Sequence, residues 1–230
     1  MKIIRENKGF ILFVIFLFVF RGAIADWHPV PTGSMKPTIL EGDVVWENKL
    51  AYDLQLPFTD ISLMRLGEPK RGEIVVFTSK NAGKRLIKRL IGLPGDTLEV
   101  RDNHLFINGE AARYAQIGDS TLEPTRAYDA EQGTTYAIES LSDLAPHIVQ
   151  RKPSFVGSLQ EFHPVVIPKD NYFFMGDNRD NSADSRAYGF VPRSEIRGHA
   201  TSTLMSVITQ KTWSIWKWRF RSERFFDALK

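Results

Sequence analysis

The chain has 230 residues, enough to bury a substantial core as one domain or as a domain with a large insertion. A formal net charge of +3 does not call for nucleic acid, and no basic run with base-stacking aromatics occurs in the middle of the chain. With no cysteine, disulfides, thiolate metal sites and cysteine catalysis are excluded, although the compartment is not identified by that absence.

In chain order, Lys2, Arg5 and Lys8 precede an unbroken apolar run from Phe10 to Phe20, followed by Arg21-Gly22-Ala23-Ile24-Ala25-Asp26. Two readings stand side by side. A positive start, short apolar middle and Ala-x-Ala end have the form of a cleavable signal peptide. A helix from Gly9 to Ala25 would equally reach about 26 Å at 1.5 Å per residue, close to the roughly 30 Å of bilayer hydrocarbon. In that second reading Arg21 extends its charge to the outer headgroups. Trp27 then sits at the interface, and the basic start places the N-terminus in the cytoplasm.

Beyond this segment the texture is mainly β. Asp43 to Trp46, Ile74 to Thr78, Leu86 to Ile91 and Thr97 to Val100 are apolar or β-branched runs bounded by Gly, Pro and charged residues. Leu105-Phe106-Ile107-Asn108-Gly109 signals a hairpin, because Asn-Gly accepts the positive φ angles of a tight turn. From about Asp102 to Lys169 the composition loosens, interrupted by pairs such as Val165-Val166-Ile167, and reads as an inserted β-rich region with loops. Tyr172 to Met175 and Ala200 to Ile208 return to core strands. The end of the chain interleaves aromatics and cations from Trp213 to Arg221, then Arg224-Phe225-Phe226, which suits a lipid headgroup region or a terminal helix on the core.

Two segments carry chemistry-bearing residues. Pro31-Thr32-Gly33-Ser34-Met35-Lys36-Pro37-Thr38 offers a serine, and Leu86-Ile87-Lys88-Arg89-Leu90-Ile91-Gly92-Leu93-Pro94-Gly95-Asp96 offers a lysine in an apolar strand. A serine needs a partner to take its proton. A lysine can do so if burial lowers its pKa from about 10.4 to near 8, a shift of roughly 3.3 kcal/mol. Each segment alone reads as a turn or an ordinary strand. The five histidines, His28, His104, His147, His163 and His199, are scattered without metal-ligand spacing. Asp180 to Asp184 has the look of a calcium loop, but Ser185 stands where its glycine is needed and Val191 where its closing acid is.

A third segment, Met175-Gly176-Asp177-Asn178-Arg179-Asp180-Asn181-Ser182-Ala183-Asp184-Ser185-Arg186-Ala187-Tyr188-Gly189-Phe190-Val191-Pro192, completes a pattern. With Pro31 to Thr38, Gly42-Asp43, Lys70 to Phe77 and Ile87 to Asp96, in that order, the chain resembles bacterial type I signal peptidases. These are Ser/Lys proteases that remove signal peptides from exported proteins. The resemblance implies Ser34 as nucleophile and Lys88 as general base, with the Ser34 N–H and the Thr32 hydroxyl as oxyanion donors. It implies Ser182 as the hydroxyl that orients the lysine, and an Asp184–Arg186 ion pair that supports the site. Val30, Met35, Ile39, Leu86 and Ile87 match positions lining pockets for small substrate residues. Arg89 reads as structural, and Lys36 and Thr38 receive no role. Thr32 stands where the family often has serine.

The fold so implied is mainly β, a signal-peptidase-like catalytic sheet with an inserted β-rich region, preceded by one transmembrane helix. The expected division is 1–27 for the cytoplasmic start and anchor, 28–101 with 170–210 for the catalytic core, 102–169 for the insertion and 211–230 for the tail. Retention of the anchor implies a single-pass protein of the bacterial cytoplasmic membrane, its catalytic domain outside. Expected partners are preprotein signal peptides and the lipid bilayer, with no nucleic acid, no cofactor and no metal. Two alternatives stay open: a processing protease specialised for one export or conjugation pathway, and a non-catalytic anchored binding protein. A self-cleaving repressor, which shares the Ser/Lys logic, would start with a DNA-binding helical domain in place of this apolar run.

Overall fold

The computed structural model describes residues 7–59, 61–118, 133–152, 158–208 and 219–229. The aromatic and basic stretch 211–218 lies outside them, as does much of the middle region. The first part of the chain supplies strands β1 (Ala25–Pro29), β2 (Asp43–Asn48), β3 (Asp53–Gln55), β4 (Ser62–Arg65), β5 (Ile74–Ser79) and β6 (Lys84–Gly92). The middle supplies β7 (Thr97–Arg101), β8 (His104–Ile107), β9 (Glu110–Ala111), β10 (Arg113–Ile117), β11 (Thr135–Leu141), β12 (Leu144–Arg151) and β13 (Phe162–Val166). The last part supplies β14 (Asn171–Met175), β15 (Val191–Pro192), β16 (Ile196–Ile208), β17 (Arg219–Phe220) and β18 (Asp227–Ala228).

The main sheet runs β1-β2-β16-β5-β6-β14-β15, with β17 and β18 also paired to β16. Every named pairing in it is antiparallel. β2 alternates strictly between buried and half-buried positions, as a strand with one covered face should. β5, near the centre, is almost wholly buried. The 13-residue β16 reaches both neighbours by way of bulges at Ile196/Gly198, Ala200/Ser202 and Thr203/Met205, which bend and twist a strand too long to stay flat. Gly198 sits at one of these crossings, where an added Cβ would lie 2.7 Å from the Asn48 carbonyl oxygen.

The middle region forms a four-stranded sheet, β13-β7-β8-β9, and a three-stranded sheet, β10-β11-β12. The Asn108-Gly109 turn between β8 and β9 has φ of 52° and 81°, as its sequence predicts. The strands draw the boundaries differently from the expected division. β7 falls inside the expected core at 28–101 but pairs with β8 and β13, because Leu98 and Val100 pack with Leu105 and Ile107. Ala25 to Trp27, assigned to the anchor, pair with β2 in the main sheet. The tail assigned to 211–230 comes back onto β16 at both β17 and β18.

The N-terminal helix is Lys8–Val19, followed by a wider π-helical turn at Phe20–Ile24, and the chain is extended from Ala25. The expected helix from Gly9 to Ala25 is therefore shorter, since β2 takes Ala25 into the sheet. Among the described residues no helix is long and apolar enough to cross a membrane. No residue of Lys8–Val19 is buried against protein.

Candidate active site

The loop joining β1 to β2 carries the candidate serine. Its base is closed by Val30 N–H to Asp43 O at 2.8 Å and Gly42 N–H to Val30 O at 2.9 Å. Met35 and Ile39 bury their side chains with Val45, Ile74, Val76 and Ala200, which fixes the loop on the sheet. Each such apolar side chain removed from water contributes about 1.5–3 kcal/mol. Ser34 is left half-buried above this patch.

Lys88 stands on β6 opposite Val75 of β5. Its side chain is only 3% exposed. Its Nζ donates to Ser34 Oγ at 2.6 Å and to the Ile87 carbonyl at 3.1 Å. Burial lowers the Lys88 pKa to about 8, the charges of Asp184 and Asp177 working against the shift and Lys84 adding to it. An amine so placed gives up its proton well below the ordinary lysine range and lies in reach of the hydroxyl.

The segment after β14 braces both groups. Asn178 donates its N–H to Ser34 O at 3.1 Å and its Nδ2 to Gly33 O at 3.0 Å. Asp177 receives a two-point contact from Arg89, 2.8 and 2.7 Å, and the Thr38 hydroxyl at 2.5 Å. Arg89 therefore ties the residue beside the base to the far end of the serine loop. Burial alone would raise the Asp177 pKa, but the Arg89 charge and hydrogen bonds outweigh it and hold the carboxyl below its usual range. Gly176 is in a tight position: an added Cβ would lie 2.2 Å from Ser182 Oγ and 2.3 Å from Ser34 O.

Asp184 and Arg186 form a fully buried pair, with contacts of 2.9 and 2.8 Å, rather than the surface pair a polar turn would give. Asp184 also accepts the Gly176 N–H at 3.0 Å, and Arg186 reaches the Arg179 and Leu159 carbonyls. Burial opposes ionisation of Asp184, yet the Arg186 charge keeps its pKa low. Ser182 Oγ is buried beside Asp184, and Lys88 Nζ bonds Ser34 Oγ and the Ile87 carbonyl, so the expected bond between Ser182 and Lys88 is not formed here.

The β10-β11-β12 sheet contributes a second brace. Arg179 contacts Glu139 of β11 through both terminal nitrogens, one at 2.6 Å, and the Tyr114 hydroxyl donates to the same carboxylate at 2.6 Å. His147 Nε2 lies 3.4 Å from Glu139. Burial, reinforced by Arg89, lowers the His147 pKa to about 4, so this imidazole is neutral at physiological pH. Against burial, Arg179 holds Glu139 at about 2.

At the other end of the serine loop, Asp43 accepts the Leu40 N–H at 2.8 Å, the Ser206 hydroxyl at 2.5 Å and Arg224 at 2.6 Å. Arg224, in the tail that suited either a lipid headgroup region or a helix on the core, is 1% exposed and also donates to Thr38 O at 3.1 Å. Its burial has a simple cause, since a buried carboxylate at Asp43 requires a cation.

A cavity of about 280 Å³ runs from Ser34 along the outer half of β6. All five candidate substrate residues, Val30, Met35, Ile39, Leu86 and Ile87, line it together with Ser34 and Lys88. β14 pairs β6 only at Arg89, Leu90 and Gly92, so Lys84 to Lys88 keep one strand edge outside the β14 ladder. A second cavity, about 340 Å³, lies on the other side of Ser34 and is lined by Thr32, Glu41, Lys84, Asn181 and Ala183. Exposed Thr32 borders both.

Sequence reasoning assigned no part to Asp177, Asn178 and Thr38, nor to the cluster of Tyr114, Glu139, His147 and Arg179. Asp177 and Asn178 lay in the quoted segment, but their partners are more than 80 positions away in the chain. Among the described residues Asp26, His28 and Glu47 also gather their ligand atoms within 4.8 Å. Asp26 there is paired with Arg21 and Lys49, and His28 with Glu47.

The family model "Signal peptidase, peptidase S26" matches residues 3–205. The chain is 32% identical over 218 residues to a signal peptidase I of Pseudomonas aeruginosa, covering 89% of this chain and 73% of that one. It is 36% identical over 224 residues to a signal peptidase I of Rickettsia canadensis, covering 91% and 82%. A solved signal peptidase I from Enterococcus faecalis aligns at 29% identity with a TM-score of 0.35, covering 58% of this chain and 97% of that one. That overlap is too loose to bear on the fold.

Proposed function

This chain belongs to the signal peptidase family, peptidase S26, and we propose that within this family of serine endopeptidases it cuts preproteins with Ser34 as nucleophile and Lys88 as general base. The observation that carries this reading is the 2.6 Å approach of Lys88 Nζ to Ser34 Oγ by an amine whose burial lowers its pKa to about 8. Neutral Lys88 takes the hydroxyl proton as Ser34 attacks the scissile carbonyl. The resulting ammonium returns the proton to the leaving amine, and the free amine then activates water to clear the acyl-enzyme. The Ser34 N–H and the Thr32 hydroxyl donate to the oxyanion, each such donor being worth about 2.7–4 kcal/mol. Ser182, buried beside Asp184, is the hydroxyl that holds Lys88 once Ser34 is acylated. Asp184 and Arg186 act through position alone.

The substrate enters as an added strand along Lys84 to Lys88, its main chain pairing with β6. Side chains of alternate residues then point into the apolar cavity at Val30, Met35, Ile39, Leu86 and Ile87. A volume of about 280 Å³ shared between two such side chains suits small residues at the first and third positions before the cut. The family is membrane-associated. Here the helix from Lys8, apolar all round and with no buried residue, serves as a single anchor, the sheet domain lying outside the bacterial cytoplasmic membrane.

The test is processing of an exported precursor in detergent by the parent, Ser34→Ala and Lys88→Ala. Both variants are expected to lose at least about 10³-fold in kcat, as deletions within one chemical unit do. Full activity in either would refute the assignment.

A further inference from the structure

Ser34 lies in a turn closed by the Lys36 N–H on the Gly33 carbonyl at 3.1 Å. It is the first residue inside that turn, and its own N–H takes no part in the closing bond. The Gly33 carbonyl and the Ser34 N–H belong to one peptide unit. Such a unit is planar and trans, so its C=O and N–H point in opposite directions. The tilt of that single plane therefore decides where the Ser34 N–H is aimed.

The plane is gripped from outside the turn. The Gly33 carbonyl also accepts Asn178 Nδ2 at 3.0 Å, from 145 positions along the chain. Both lone pairs of that oxygen are thus engaged, by donors from two different segments. Asn178 is 3% exposed and is itself well located. Its N–H donates to Ser34 O at 3.1 Å, its carbonyl accepts the Asn181 N–H at 3.0 Å, and the Asp177 carbonyl accepts the Gln150 N–H of β12 at 2.8 Å. Among the described residues Asn178 Oδ1 has no hydrogen-bond partner. A buried amide oxygen left unpaired is destabilising, and an apolar side chain of the same shape would avoid it. What the amide supplies is the donor to Gly33. Tying the loop down does not require that donor, because the Asn178 N–H already holds Ser34 O.

We propose that Asn178 is a positioning residue which, by gripping the Gly33 carbonyl, points the Ser34 N–H at the oxyanion that forms during acylation. This rests on the Ser34/Lys88 reading above. Without the Nδ2 contact only the turn's own bond holds the plane, and the Ser34 N–H swings off the oxyanion. Substrate binding is little affected, since the scissile carbonyl carries little charge before attack. The loss falls on kcat, where a missing oxyanion donor costs about 10²–10³-fold.

Asn178→Leu keeps the volume and removes the donor, and Asn178→Ala removes it without filling the space. Parent and variants are compared in detergent on an exported precursor, on a peptide aldehyde whose carbonyl forms a tetrahedral adduct with Ser34, and on the same peptide with a reduced, uncleavable scissile bond. For both variants the expected result is a kcat lower by about 10²-fold at little-changed KM. Aldehyde affinity should fall by a similar factor, while affinity for the reduced peptide stays at the parent value and the Lys88 ¹⁵Nζ midpoint stays at about 8. Weakened binding of the reduced peptide, or a displaced Lys88 midpoint, would mean a general distortion of the site and would overturn the proposal. Parent-like kcat, or lost kcat with unchanged aldehyde affinity, would overturn it as well while leaving the dyad intact. Full activity of Ser34→Ala would remove the dyad and this inference with it.

Discussion

Lys88 is where burial and chemistry act on one atom. The sheet that shields its amine lowers the pKa from 10.5 to about 8, and that shift also bears on stability. Between those two values the unfolded chain binds a proton the folded chain does not, so this group's contribution to stability rises with pH across the window and is at its most unfavourable below about 8. The penalty at neutral pH is about 3 kcal/mol. Lys88→Met, which keeps the aliphatic stem, is therefore expected to stabilise the domain at pH 7 by an amount of that order. The gain should shrink toward zero as pH approaches 10.5, as measured by denaturant unfolding of parent and variant. A gain independent of pH would point to packing instead. The serine and lysine were legible in the sequence because their flanking residues form a pattern, whereas the lowered pKa required the apolar surroundings supplied by distant strands.

At the scale of elements, the serine loop is held at both ends by segments remote in sequence. Gly176 leaves no room for a side chain between Ser182 and Ser34. Gly176→Ala must push one of them aside, and displacement of a reacting group by about 1 Å costs on the order of 10²-fold in kcat. Steady-state kinetics should show that loss in kcat with little change in KM, and unchanged kcat would contradict the tight packing. Arg224 is the corresponding brace from the end of the chain. Arg224→Ala leaves Asp43 buried without its cation, a change that destabilises by about 3–5 kcal/mol. Thermal or denaturant unfolding measures this directly, and an unaltered midpoint would mean that the tail does not hold the loop. Strands with clean alternation, such as β2, and the Asn108-Gly109 hairpin could be read from the sequence. β10 to β12 could not, because their polar exposed face and buried Glu139 and His147 hide the period.

Across the whole molecule, three buried ion pairs, Arg89–Asp177, Arg186–Asp184 and Arg179–Glu139, radiate from the single segment that follows β14. Through Arg179 the β10-β11-β12 sheet reaches the segment that follows β14 and braces it. Their acids stay ionised because each has its own arginine, whereas Lys88, the lysine proposed as base, donates to the Ser34 hydroxyl and the Ile87 carbonyl. Which segments meet at the candidate site was legible from motif order. The way buried charges divide into partners was not, because pairing depends on distances among residues up to 181 positions apart. The central claim is that Lys88 loses its proton well below the ordinary lysine range, and NMR titration of its ¹⁵Nζ in the folded protein reads this directly. The account predicts a midpoint at about 8; titration at the ordinary lysine value would contradict it.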